Sequence, residues 1–212
     1  MIPLDIYSDP ICPWCFIGKA RLDRALESRP DHPFEIRWHP FQLNPDMAPE
    51  GMDRDEYMAL KFGDSQGILD AHRPVIEAAE EAGVTLDLPA ITRTPNTLDA
   101  HRLIHWAGLE GRQSATVAAL FRAYFAEGRD IGDRATLLAL ASESGLDTAL
   151  ITRLMDTDAD KDLIREADRM ARARGISGVP FFIIDKQYAV SGAQPVQVWQ
   201  NVIDELMAGP PA

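Results

Sequence analysis

The sequence predicts an α/β fold in which a βαβ unit and a closing ββα unit frame a large all-helical insertion. Three observations carry this expectation. Short stretches of alternating apolar residues stand at both ends of the chain. Helical periodicity fills the intervening segment for over a hundred residues. The only two cysteines, Cys12 and Cys15, stand three apart where the first strand turns into the first helix.

The elements follow in order. Ile2, Leu4 and Ile6 share one face of a strand running to Ser8, with Asp5 and Tyr7 on the other. Asp9-Pro10 breaks it. From Pro13 to Leu26 the apolar residues Phe16, Ala20, Leu22, Ala25 and Leu26 recur near a helical period, and Arg29-Pro30-Asp31 ends the run. Phe34 to Phe41 alternates again, and Pro40 marks an early end or an edge. Strand, helix and strand with short links make a right-handed βαβ unit.

After a loop at Pro45, Pro49 and Gly51, helices are predicted at 53–62, 67–82, 96–109, 113–127, 133–144, 147–156 and 159–174. Asn96 and Asp133 read as N-caps, Asp147 follows the stop at Gly145, and Gly83 closes the second segment. Pro74 is expected to begin or kink that segment. Strand character returns at Val179–Ile184 and, after a turn at Asp185-Lys186-Gln187, at Tyr188–Val190. Pro195 opens a last amphipathic helix to Met207.

Composition narrows the function. Hydrophobic residues make up 46% and charged residues 25%, the balance of a chain with a packed core. A net charge of −12 disfavours nucleic acid and anionic membranes as partners, and no apolar run is long enough to cross a bilayer. The first residues read as a strand rather than a secretory signal, so the expected location is cytoplasmic.

Two cysteines placed at random in a chain of 212 residues fall three apart only about 1% of the time. A reducing cytosol needs no structural disulfide, and two thiolates cannot close a four-ligand zinc site. Thiol–disulfide exchange is the remaining reason for the pair. At the head of a helix the free N–H groups and the dipole favour a Cys12 thiolate, and Pro13 suits the first turn. Cys12 is therefore expected at the exposed end as attacking thiol. Cys15, one turn deeper, is expected to keep a higher pKa and resolve the intermediate.

Other residues carry weaker signals. Val179-Pro180, entering an apolar strand, reads from spacing alone as an ordinary trans edge proline. A cis bond there would free the Val179 backbone for an extended substrate. Trp14 is either a substrate-facing platform or a packed aromatic. Asp9 reads as a turn former more readily than as a proton relay to Cys15. His101 and His105 have the i,i+4 spacing of a metal pair but lack the intervening Glu, so no metal site is expected. Trp38, Trp106 and Trp199 read as core.

Taken together, Ser8–Cys15, Pro95–Arg102, Gly175–Pro180 and Ser191–Gln194 resemble the DsbA-like thioredoxin superfamily across essentially the whole chain. The resemblance is to the FrnE-like branch, related to 2-hydroxychromene-2-carboxylate isomerases and kappa-class glutathione transferases. It implies a discontinuous thioredoxin-like domain at 1–43 and 176–212, a helical insertion domain at 44–175, and a cis Val179–Pro180 bond facing Cys12. It also implies a substrate groove formed by Pro13, Trp14, Asn96, His101, Val179 and Pro180. The implied activity is that of a dithiol–disulfide oxidoreductase acting on a protein or small-molecule disulfide, as monomer or homodimer. No bound cofactor is expected, with glutathione admitted as a redox partner.

The alternative is a glutathione-dependent isomerase or transferase acting on a small aromatic; a redox-regulated binding module is a third. Two departures bear on the alternative. Those relatives carry Ser where Cys12 stands, and their glutathione-contacting Asp-Arg pair appears here as Ala193-Gln194.

Overall fold

The computed structural model describes residues 1–208; positions 209–212 of the expected closing segment lie outside the described residues. The chain opens with β1 (Ile2–Ser8), α1 (Pro13–Glu27) and β2 (Phe34–Pro40) and closes with β5 (Phe181–Ile184), β6 (Tyr188–Ser191) and α9 (Val196–Ala208). These strands form one sheet in the order β2-β1-β5-β6. β1 runs parallel to β2, with Ile6 opposite Trp38, and antiparallel to β5, with Ile6 opposite Phe182.

The alternation of β1 places its side chains on two cores. Leu4 and Ile6, with Phe182 and Ile184, pack with Leu22 and Ala25 of α1 and Trp199 and Ile203 of α9. Tyr7 joins Phe41, Ala171 and Ile176 in a second cluster. The Phe182 and Trp199 rings meet edge to face at 4.7 Å, which fixes α9 on the sheet.

Between β2 and β5 lie α2 (Arg54–Phe62), α3 (Ser65–Ala82), α4 (Leu98–Leu109), α5 (Gln113–Phe125), α6 (Arg134–Glu143), α7 (Thr148–Met155) and α8 (Lys161–Ala173). The other regular elements of the segment are a two-residue antiparallel pair, β3 (Met52–Asp53) with β4 (Arg93–Thr94), and a 3₁₀ turn at Leu88–Ala90. Asp133 accepts from the Thr136 N–H and Asp147 from those of Ala149 and Leu150, as caps should. Asn96 accepts from the Leu98 N–H at 2.9 Å, although Thr97 holds the formal cap position.

Pro74 neither begins nor ends a helix. α3 runs through it from the Asp64 cap to Gly83, whose φ of 68° closes the helix. Pro74 is exposed, so the carbonyl it leaves unpaired faces water.

The insertion shares its core with the sheet. Phe16 of α1 stacks on Phe121 and Phe125 of α5 at 5.2 and 5.8 Å. Leu103, Leu120, Leu137 and Ile151 belong to the same buried cluster as Leu4, Cys12 and Cys15. Gln113 binds the edge strand: its amide oxygen accepts from the Trp38 N–H at 2.9 Å and its NH₂ donates to the Trp38 carbonyl at 3.1 Å.

Candidate active site

Cys12 stands at the N-cap of α1 with extended backbone, and its side chain does not cap the helix. Its carbonyl accepts from the Cys15 and Phe16 N–H groups, while its own N–H donates to the Asp9 carbonyl at 2.9 Å. Pro13 occupies the first helical position, where a missing N–H leaves no bond unmade. This local chemistry sets Cys12 at the head of the helix and Cys15 one turn inside it.

The structure departs from the expected exposed Cys12. Only 4% of Cys12 is open, against 1% of Cys15. The cause comes from far along the chain: the strand-entry loop crosses the helix head, and the Cys12 thiol donates to the Val179 carbonyl at 3.6 Å. Both thiols are unbridged.

Burial pushes the Cys15 thiol well above its ordinary value, and the neighbouring Cys12 adds to this through its hydrogen bond and charge. The Ser8 hydroxyl and the Asp9 N–H face the Cys15 sulfur and act the other way. Desolvation outweighs them, so burial favours the neutral thiol.

The Val179–Pro180 bond is cis. Pro180 is buried against α1, where a Cβ on Gly18 would sit 3.0 Å from Pro180 Cγ. The Val179 N–H pairs with no group among the described residues, and Gly178 beside it is exposed. The helix start and the strand entry thus bring Cys12, Cys15, Pro13, Val179 and Pro180 together. Trp14 is half-buried and packs against two apolar clusters.

Asn96 and His101 are placed differently from free groove residues. The Asn96 side chain donates to the Met47 carbonyl at 2.6 Å and caps α4, which commits both its ends. His101 is 3% exposed and faces Asp9, with Nε2 3.7 Å from Oδ1. Asp9, fully buried, also accepts from the Leu43 N–H at 2.6 Å. It anchors the loop after β2 as well as its own turn.

Two residues went unseen in the sequence reading. Gly18 read only as part of an amphipathic helix, and an interior helical glycine is the signal of a close approach. The Arg21 guanidinium donates to the Ala193 carbonyl at 2.7 Å and ties the second loop to α1. Among the described residues, no group of three His, Cys, Asp or Glu side chains could hold a metal, and no helix is long and apolar enough to cross a membrane.

The family model of the DSBA-like thioredoxin domain matches residues 3–204. Bacillus subtilis YwbO is 30% identical over 205 residues, covering 96% of each chain. A probable DsbA oxidoreductase from Streptomyces coelicolor is 31% identical, superposes with a TM-score of 0.86, and covers all of this chain and 92% of its own. The cytosolic disulfide reductase DsbM from Pseudomonas aeruginosa, solved with GSH, shares the fold at 19% identity and a TM-score of 0.69, over 97% and 99% of the two chains. With the match running almost from end to end and the paired cysteines at the head of the first helix, this chain belongs to the DSBA-like thioredoxin domain family.

Proposed function

We propose that the protein is a dithiol–disulfide oxidoreductase in which Cys12 attacks a substrate disulfide and Cys15 resolves the mixed disulfide. The observation that carries the reading is the asymmetry of the pair. Cys12 sits at a helix head against the Val179 carbonyl, while burial holds Cys15 protonated one turn below. A thiol held protonated by burial is the poorer nucleophile, so the first sulfur to react is Cys12. An extended substrate segment would pair with the free Val179 N–H, with exposed Gly178 leaving room for its backbone.

Pro13 and Trp14 flank the reacting sulfur, and Pro180 holds the Val179 segment against it. Asn96 and His101 shape the insertion behind the site rather than meeting substrate. The thioredoxin-like segments 1–43 and 176–212 supply the chemistry in this reading, and 44–175 covers it. Two cysteines and a reducing cytoplasm favour reductase or isomerase work, with glutathione as the small-thiol redox partner.

Cys15→Ser removes the resolving thiol and is expected to trap substrates on Cys12 as mixed disulfides, recovered from cell extract on non-reducing gels and released by reductant. An extract that yields no Cys12 adduct, together with no turnover of insulin by the wild type, rules the reading out.

A further inference from the structure

Behind the thiols lies an incomplete ion pair. Asp9 and His101 are both buried, at 0% and 3% exposure, and their facing atoms stand 3.7 Å apart. That is too long for a hydrogen bond yet close enough for appreciable attraction in a buried site. His101 Nε2 has no hydrogen-bond partner, and neither has Ser8 Oγ. Both residues line the same cavity of about 10 Å³ with Pro10, Trp38, Ile104 and Phe121, the room that one water needs. Ser8 in turn faces the Cys15 sulfur.

We propose that His101, oriented by Asp9, accepts the Cys15 proton through Ser8 and a single water during resolution, so that the insertion supplies the acid–base group for the buried thiol. This rests on the oxidoreductase reading. Cys15 gives its proton to His101 Nε2, and its sulfur attacks Cys12 Sγ. The Cys12–Cys15 bond forms, the bond from Cys12 to the substrate sulfur breaks, and the substrate departs as a thiolate. The dithiol loses two electrons and the substrate disulfide gains them. The proton passes on to the leaving thiolate or to solvent. Asp9 is a positioning residue; it touches neither sulfur with its carboxylate.

An aryl disulfide whose thiolate absorbs visible light separates the steps, because attack by Cys12 releases the first thiolate and resolution by Cys15 the second. The groups around the pair that titrate or carry charge are Cys12 and Cys15 on α1, His39 on β2 held by Asp5, Tyr124 on α5, and the Asp168–Arg172 pair on α8. His101→Gln keeps all of them. It is expected to leave the first release within about twofold and slow the second on the order of 10²-fold. The pH profile of the second release should change, while that of the first should not.

Asp9→Asn keeps an oxygen for the Leu43 N–H and is expected to slow the second release alone, which carries the test should His101→Gln not fold. A second release of wild-type rate and pH profile in the folded variant overturns the proposal while leaving the oxidoreductase reading intact. A wild type that releases no first thiolate overturns both.

Discussion

Gly18 and Pro180 are in contact because Gly18 has no side chain: a Cβ there would lie 3.0 Å from Pro180 Cγ and 3.5 Å from Ala193 Cα. Alanine in a helix interior is worth about 1 kcal/mol over glycine, and that gain is available only if the proline yields. Since Pro180 carries the segment whose carbonyl receives the Cys12 thiol, Gly18→Ala is expected to show no gain in thermal stability and a several-fold loss of disulfide turnover. Calorimetry and an insulin reduction assay check the two parts. A variant more stable by about 1 kcal/mol at full turnover would mean that the proline has room to move.

The raised Cys15 pKa makes the stability of the dithiol form depend on pH. The native dithiol holds its proton where the unfolded chain, near the ordinary value of 9.0, has lost it. That contribution is complete below about pH 9 and is lost as pH rises towards the folded value. Tyr124 behaves alike, with burial pushing its phenol from 10.0 up to about 12, so its contribution fades between those values in either redox form. Urea titrations should therefore show the dithiol form weakening from about pH 9 by up to about 1.4 kcal/mol per pH unit. The disulfide form, which has no Cys15 proton to lose, should hold level until about pH 10. Equal slopes in the two forms below pH 10 would contradict this account.

Gln113 closes the open side of β2 by occupying both the Trp38 N–H and the Trp38 carbonyl. β2 is an edge strand, and unpaired edges invite pairing between chains. Gln113→Ala leaves two backbone groups beside a tryptophan that is only 7% exposed, at about 1–3 kcal/mol for each group left dry. The expected result is a lower melting temperature with concentration-dependent association by light scattering. A folded monomer of unchanged stability would show that water reaches both groups.

Local chemistry made much of this legible beforehand. The βαβ and ββα units, the cysteines at the helix head and the cap at Asp133 all rest on neighbours within a few residues. What escaped depends on contacts distant in sequence. Cys12 is buried because Val179 arrives from 167 positions away, which no spacing rule reports. Asp9 looked like a turn residue and is one, but its partners Leu43 and His101 sit on later elements. Pro74 was expected to begin or kink a helix, and α3 begins at Ser65 and runs on through it.

Arg102 shows how the insertion is held together behind the site. It is fully buried, and its guanidinium donates to the carbonyls of Leu154, Thr157 and Ala159 and to Asp99, at 2.7 to 2.8 Å. It also lies 4.7 Å from the centre of the Trp106 ring. Three of these acceptors belong to the end of α7 and the link to α8, where helix carbonyls lack partners of their own. Arg102→Met fills the space but leaves those carbonyls unpaired, and the expected loss is about 3–5 kcal/mol. Arg102→Lys keeps the charge, yet a single ammonium cannot reach a forked set of acceptors, so it should recover only part of that loss. Cys12 and Cys15 lie on α1, outside this network, so the folded fraction of either variant should exchange disulfides at the wild-type rate. Amide exchange should locate the new mobility in α7 and the turn before α8. Protection there at wild-type levels would show that water, rather than Arg102, satisfies those carbonyls.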